Sequence, residues 1–396
     1  MTPKQSILSL FNGEEPGNVI WQPRIENWYN VNQAHGTLPE GYEGKSLLQV
    51  YDKLNCSPRP YLIPYPSPED LRSEATDKWK GFCPQDSPPI IRAELDPSVD
   101  GSVEVTGSGG QGDEIIERWS TPKGDLRRKW LISEDSISQQ VCEYPIKELE
   151  DLDILEYILT HQEWKFDAEA YREVEARIGD RAPVAAIAPR APFIQFIMFY
   201  LSYEDAVIHL HRHKDRVDKF LELAEEADSK AFEAIKNSPV DVVCLPTNLD
   251  GQLVSPPYFE EYILPHYHEY GGALMDAGKF VYAHWDGRVK PLMPYAKETG
   301  LDGLEALTPE PQGDLTIEDI KDGLGEEMIL LDGVPANYFL SYQYSENRLL
   351  DETERILNEL APNLVLGISD EIPADGDIDR VRMVSELVEK FNEEYF

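Results

Sequence analysis

The sequence predicts a parallel α/β fold, a (β/α)8 TIM barrel with a β-rich excursion in its N-terminal half. The chain has 396 residues, 41% of them apolar, which is enough for a large core. After Pro145, short apolar runs alternate with amphipathic helix patterns, as in βαβ units that build a parallel sheet. These runs, the N-terminal strand and one strand from the middle region together supply the strands that a closed barrel needs.

The first strand is predicted around Trp21, in a segment that ends at Arg24. Residues 88–145 differ, because apolar and polar residues alternate there between turns rich in glycine and proline. We predict an antiparallel meander at about 88–145, inserted into one domain that spans 1–396. The glycine-rich stretch 107–112 is predicted to be a hairpin loop, since no helix pattern follows it. The later strands begin at Val184, Val240, Phe280, Leu304, Met328 and Leu364, and one intervening helix runs from Lys214 to Ile235.

Charge excludes some classes of partner. The chain has 74 acidic and 36 basic residues, a net charge of −38, which argues against nucleic acid and anionic membranes as partners.

No apolar run reaches the ~18 residues of a membrane span, and no secretory signal pattern is present, so we expect a cytoplasmic protein. The four cysteines are widely spaced and are expected to be free thiols. The oligomeric state, a homodimer included, is left open.

Two predicted strands end on side chains that carry chemistry. The run that starts at Phe280 ends at His284, with Asp286 two residues later, and the next run carries Glu305. The carboxyl ends of parallel strands meet at one face of the sheet, so these side chains should lie close together. They could hold a divalent metal or serve as acid and base. Asp370 follows the last strand and is either a member of the same site or a turn residue.

Other candidates follow neighbouring strands. Asn248 and Asp250 end the strand that contains Cys244, and they could bind polar groups of a substrate or form an Asx turn. Asp250 is also a candidate acid or base. Arg190 could anchor a carboxylate through a bidentate contact.

The N-terminal strand contributes a second group of candidates. Arg24, directly after it, could also bind a substrate carboxylate. Trp28 and Tyr29 could line an aromatic pocket, and core packing is the alternative for both.

Several segments resemble the uroporphyrinogen decarboxylase superfamily, which includes haem-pathway decarboxylases and cobalamin-dependent methyltransferases. The resemblance spans about residues 145–390 and implies a single (β/α)8 barrel with its active site at the carboxyl face. It is carried by Val254-Ser-Pro-Pro-Tyr-Phe259, His284-Trp-Asp-Gly287, Gly300-Leu-Asp-Gly-Leu-Glu305, Leu330-Leu-Asp-Gly333 and Gly367-Ile-Ser-Asp-Glu-Ile-Pro373.

Two departures from the family patterns indicate a branch. The decarboxylases carry two N-terminal arginines for substrate carboxylates, and this chain keeps only Arg24, so a porphyrinogen is a poor match. The zinc methyltransferases hold their metal with one histidine and two cysteines. His284 matches that histidine, whereas Asp286 and Asp370 stand at the cysteine positions. The resemblance therefore implies zinc or another divalent metal held by His284, Asp286, Glu305 and Asp370. Oxygen ligands would make that metal a harder Lewis acid.

The function implied by the resemblance is methyl transfer from an O-methyl (methoxylated) substrate to a corrinoid on a separate protein, through metal-assisted demethylation. The alternative is a decarboxylase or lyase that uses carboxylates as acid and base on the same barrel. A barrel without catalysis that serves as a binding subunit is the third interpretation.

Overall fold

Eight parallel strands form the central sheet of the computed structural model, which describes residues 1–62, 65–66, 90–106, 114–132 and 139–396. Each strand hydrogen-bonds to its neighbours in a continuous curled order. That order is Ile20–Gln22, Leu364–Ser369, Ile329–Pro335, Gly303–Glu305, Phe280–His284, Val242–Leu245, Ala185–Ile187 and Tyr61–Leu62.

The two outermost strands of this order meet through the segment that precedes Tyr61. The backbone N–H of Ser57 donates to the carbonyl of Trp21 at 2.9 Å, and the Gln22 amide donates to the carbonyl of Pro58 at 2.8 Å. The curled sheet thus closes into a barrel, and the predicted fold class is confirmed. One detail was wrong: the eighth strand is Tyr61–Leu62, before the 88–145 region, where its two-residue length and flanking prolines hide it.

Apolar side chains fill the amino-terminal half of the barrel. Inward residues from successive strands, such as Val242, Phe280 and Leu331, pack there against the helix Pro3–Phe11. The Phe11 ring stacks on Phe280 with centroids 3.6 Å apart. Polar chemistry is therefore displaced toward the carboxyl ends of the strands.

Amphipathic helices surround the sheet and bury their apolar faces against it. The predicted helix after Lys214 is confirmed as Lys214–Lys236, with Val217, Phe220 and Leu221 buried. The α-helices are Pro3–Phe11, Glu26–His35, Leu47–Leu54, Leu152–Thr160, Ala168–Ile178, Pro192–Gln195, Tyr203–Arg212, Lys214–Lys236, Pro256–Tyr258, Leu264–His266, Gly272–Asp276, Ile317–Leu324, Glu346–Leu360 and Ile378–Tyr395. Short π-helical segments, Phe196–Tyr200, Phe259–Ile263 and Tyr267–Gly271, continue three of them.

The β-rich excursion contains an antiparallel sheet of four strands, Asp100–Thr106, Glu114–Thr121, Gly124–Ile132 and Gln139–Glu143. We refer to it below as the outer sheet. The predicted loop at 107–112 lies outside the described residues. Ile91–Leu95 also pairs antiparallel with Gln162–Phe166. This pairing was not predicted, because the two strands lie on either side of the outer sheet in the sequence.

The sequence also predicted free cysteines and no membrane span. Cys56, Cys142 and Cys244 are free thiols, and Cys83 lies outside the described residues. The described ranges contain no helix with the length and apolarity that a bilayer span requires.

Candidate active site at the carboxyl end of the barrel

Backbone strain concentrates at the carboxyl ends of the barrel strands, which we call the mouth. Asn248, Ala306, Asp332 and Asp370 have φ values of 49°, 66°, 89° and 73°, in the left-handed region that favours glycine. They are four of the five such non-glycine residues in the described ranges. Strained positions of this kind cluster at functional sites, so the backbone strain indicates a functional site at the mouth.

His284 and Glu305 form the centre of the site. They end two adjacent strands and are paired in register. His284 Nδ1 lies 2.8 Å from Glu305 Oε2, so the ring donates to a carboxylate that is almost completely buried. Glu305 Oε1 accepts from Arg59 Nη1 at 2.7 Å and also from the Tyr61 hydroxyl. The structure thus brings the two predicted residues together and adds two partners that were not predicted.

The other ring nitrogen of His284 faces a different carboxylate. Nε2 lies 3.8 Å from Asp286 Oδ2, and the His284 side chain is 12% exposed. Burial opposes ionisation of Asp286, but its interactions with His284 and Asn248 outweigh burial and lower its pKa. Because Glu305 fixes the ring through Nδ1, Nε2 is the atom left to act on a ligand.

Asp332 joins the buried cluster through an irregular strand. Its carboxylate lies 2.6 Å from Arg59 Nη1, and both side chains are buried. Adjacent residues of a strand normally point to opposite faces, yet Leu331 packs inside the barrel and Asp332 also reaches Arg59. Positive φ values at Asp332 and Gly333, 89° and 107°, allow this change of direction.

The single positive charge of Arg59 faces two carboxylates, Glu305 and Asp332, so the buried cluster has an excess of negative charge if both are ionised. Burial raises the pKa of Asp332 to about 7, with Glu305 adding to the rise and Arg59 opposing it. Burial alone would lower the pKa of Arg59, but the charges of Asp332 and Glu305 raise it. At neutral pH the cluster can therefore hold or release a proton.

A second cluster lies at the ends of the first and last barrel strands. Arg24 Nη2 lies 3.2 Å from Glu371 Oε1, and the Tyr51 hydroxyl lies 2.7 Å from Glu26 Oε1. Burial and the charge of Glu371 raise the pKa of Glu26 to about 7. Asp370 is exposed beside this cluster and acts electrostatically on Arg24 and Glu371.

Arg190 and Asn248 lie together next to Asp286. Arg190 Nη1 donates to the carbonyl of Pro246 at 2.5 Å and to Asn248 Oδ1. Asp250 is placed differently. Its carboxylate accepts from the backbone of Gln252 at 2.7 Å and of Arg288 at 3.3 Å, which is the Asx-turn alternative.

Trp28 and Tyr29 lie in the core. Both are buried, Trp28 packs edge-on against Tyr42, and the Tyr29 hydroxyl donates to the carbonyl of Lys45 at 2.6 Å. These contacts correspond to the core-packing alternative.

The predicted metal ligands do not form a common ligand set. His284 contacts Asp286 and Glu305, whereas Asp370 lies beside Arg24. Glu305 is already engaged by three donors. Across the described ranges, no group of three His, Cys, Asp or Glu side chains is arranged to hold an ion. The arrangement of donors therefore does not fit the implied zinc, and the metal stays a prediction from the resemblance.

Sequence reasoning missed Arg59, Tyr61, Asp332 and Glu371. Two of them lie in segments already singled out for the resemblance, Leu330-Leu-Asp-Gly333 and the stretch from Gly367 to Pro373. Arg59 and Tyr61 stand in a proline-rich segment without a recognisable strand pattern, and only the closed barrel reveals their position.

A family model decides the classification. The model described as uroporphyrinogen decarboxylase (URO-D) matches residues 133–391, more than half of the chain. The chain belongs to the uroporphyrinogen decarboxylase family. The match covers all barrel strands except Ile20–Gln22 and Tyr61–Leu62, and it includes His284, Glu305 and Asp332. The family resemblance stated from the sequence is therefore confirmed.

One solved structure shares the fold of this uroporphyrinogen decarboxylase family member. A methyltransferase from Methanosarcina mazei aligns over 99% of both chains, with a TM-score of 0.60 and 13% identity, which shows a shared fold. A B12-independent methionine synthase from Shewanella sp. W3-18-1 aligns over 95% of this chain and 96% of its own, with 10% identity. Its TM-score of 0.36 is too low to support a conclusion. No curated protein matches the sequence.

Proposed function

We propose that this protein is a methyltransferase that moves a methyl group from an O-methyl substrate to a corrinoid carried by a partner protein. The observation that carries the proposal is the His284–Glu305 pair at the mouth of a uroporphyrinogen decarboxylase family barrel. The fold shared with the Methanosarcina mazei methyltransferase is consistent with it. An ether oxygen is a poor leaving group, and a positioned acid at the mouth is what such a substrate requires.

The residues have distinct roles in this mechanism. A reduced corrinoid on its carrier protein would supply the nucleophile that takes the methyl group. As the methyl carbon is attacked, its bond to oxygen breaks and the oxygen keeps the electron pair. His284 Nε2 then gives that oxygen a proton, which leaves an alcohol or phenol. Glu305, held by Arg59 and Tyr61, stabilises the protonated imidazole through Nδ1.

Three groups would hold and surround the substrate. Arg24 and Arg190 follow strands that are separated only by Tyr61–Leu62 in the barrel, and both could bind its polar or acidic groups. Asp286, whose lowered pKa keeps it ionised, would orient the His284 ring. No step is assigned to a metal, because the donors do not form a ligand set.

A direct assay tests the proposal. The purified protein is incubated with methoxylated aromatic compounds and chemically reduced cobalamin, and methylcobalamin is followed by its absorbance. We expect methylcobalamin with at least one methoxylated donor and none with the demethylated analogue. A panel without any methylcobalamin would contradict the proposal.

A decarboxylase or lyase is the second candidate, and one observation favours it. Arg24 Nη1 and Arg59 Nη2 are buried and make no hydrogen bond with any described residue. Both could bind a substrate carboxylate, with the Asp332 carboxyl, whose pKa is about 7, as the proton donor. Release of carbon dioxide from an acid in the same panel, without methyl transfer, would favour this candidate.

A further inference from the structure

Arg190 differs from Arg24 and Arg59 because no carboxylate of the described ranges lies within ion-pair distance of its guanidinium, although the nearby Asp286 acts on it electrostatically. Arg24 pairs with Glu371, and Arg59 lies between Glu305 and Asp332. Arg190 is half-buried and forms no ion pair with any carboxylate of the described ranges. The chain has 74 acidic and 36 basic residues, so acidic partners for an arginine are plentiful. A half-buried arginine without a direct ion pair therefore indicates that another anion binds there.

The guanidinium of Arg190 keeps one edge free. Its hydrogen bonds to the carbonyl of Pro246 and to Asn248 both use Nη1. Neither Nε nor Nη2 donates to any residue in the part of the chain that the structure describes. These two groups form the fork that binds a carboxylate through parallel hydrogen bonds. Burial lowers the pKa of Arg190, and a bound anion would reverse that effect.

A stack of side chains connects Arg190 with the outer sheet. The Arg190 guanidinium lies 5.4 Å from the centroid of the Phe199 ring, and Phe199 lies 5.8 Å from Trp130. The Arg128 guanidinium then lies 4.7 Å from the Trp130 ring. We call Arg128, Trp130 and Phe199 the supporting stack, because it covers the Arg190 guanidinium from the side of the outer sheet.

Glu117 fixes the far end of the supporting stack. Its Oε2 accepts from Trp130 Nε1 at 2.6 Å, and its Oε1 accepts from Arg128 Nη2 at 3.0 Å. These bonds hold the indole plane in one orientation. The outer sheet is therefore in contact, through fixed side chains, with a residue of the mouth.

We propose that Arg190 binds a carboxylate of the methyl-donor substrate and that the outer sheet positions it through Trp130 and Phe199. The identity of the ligand as a methyl donor rests on the proposed function, and the inference narrows that donor to a methoxylated acid. Trp130 is a positioning residue, since it acts through Phe199 and Arg190.

Substrate pairs test the carboxylate subsite. The assay compares para-methoxybenzoate with para-methoxybenzyl alcohol, which lacks only the acid, for wild type and Arg190→Gln. We expect the KM for the acid to rise about tenfold to a hundredfold in the variant, the loss expected for charge-assisted hydrogen bonds. The KM for the alcohol should rise far less, because its hydroxyl gives the guanidinium no charged partner. An equal change for both donors would overturn the proposal.

Variants of the outer sheet test the positioning role. Trp130→Ala should raise the KM for the acid alone, and Trp130→Phe should restore it because the ring contact with Phe199 is kept. Trp119→Ala is the matched control, since Trp119 contacts Arg128 at 5.4 Å but not Phe199. Equal effects of the two alanine variants, or no rescue by phenylalanine, would show a merely structural role.

Calorimetry separates this inference from the proposed function. Benzoate and benzyl alcohol carry no methyl group to transfer, so their binding does not depend on the reaction. Benzoate should bind wild type more tightly than benzyl alcohol, and Arg190→Gln should remove the difference. If this holds but wild type methylates no corrinoid, the methyl-transfer proposal fails and the carboxylate subsite stands. Benzoate that binds wild type no more tightly than benzyl alcohol overturns the subsite.

Discussion

His284 Nδ1 and Glu305 Oε2 lie 2.8 Å apart at the ends of two neighbouring barrel strands. Their positions are fixed by strand register, and Glu305 is fixed again by Arg59 and Tyr61. A histidine held this way presents one ring nitrogen in a defined direction. The chemistry proposed for the mouth depends on that nitrogen.

Removal of Arg59 should destabilise the fold strongly. Arg59→Met leaves two buried carboxylates, Glu305 and Asp332, without their guanidinium, and breaking such a pair costs about 3–5 kcal/mol. Urea denaturation measures the loss in the free energy of unfolding. The control is Arg118→Met, which breaks an exposed pair with Glu104 and should cost less than about 1 kcal/mol. Similar losses in both variants would contradict the assigned role of Arg59.

Stability should depend on pH through Asp332. Burial raises its folded-state pKa to about 7, so the folded protein holds this proton more tightly than the unfolded chain. The resulting stabilisation is complete below the unfolded-chain pKa of about 4 and is lost as the pH rises through about 7. Asp332→Asn imitates the protonated carboxyl and should remove the part of this decline that Asp332 contributes, while the part from Glu26, whose pKa is also raised to about 7, remains. Urea denaturation at a series of pH values measures it, and parallel profiles for wild type and variant would refute the assignment.

Gly367 should not tolerate a side chain. A Cβ atom at this position would lie 2.1 Å from Asp332 Oδ1 and 3.0 Å from Arg59 Nη2, so the buried cluster would have to move. We expect Gly367→Ala to reduce both the free energy of unfolding and activity. Gly272→Ala is the matched control, because nothing lies within 4 Å of its Cβ and alanine favours a helix. Full activity in Gly367→Ala would contradict this packing.

Metal dependence can be measured separately. Because the donors form no ligand set, dialysis against EDTA should leave methyl transfer unchanged, with zinc content followed by elemental analysis. If activity is lost and then restored by zinc, His284, Asp286 and Asp370 must rearrange around an ion, as the family resemblance implies.

The sequence predicted the parts of the site that depend on strand ends. His284 and Glu305 could be placed together because each ends an apolar run, and parallel strands end at one face. Arg59 could not be placed, because it lies in a proline-rich segment without a strand pattern. That segment becomes part of the barrel only through its contacts with Ile20–Gln22. Asp332 could not be assigned to the interior, because its inward direction depends on a positive φ that no period-two pattern predicts.

Single-turnover methyl transfer in wild type and His284→Ala tests the central claim most directly. The donor carries an isotopically labelled methyl group, and its appearance on reduced cobalamin is followed over time. We predict transfer by wild type and a loss of roughly 10²- to 10⁴-fold in the variant, the contribution of a positioned acid. The exposed His211→Ala should match wild type. Label that never reaches cobalt in wild type, or that reaches it equally fast in His284→Ala, would contradict the account.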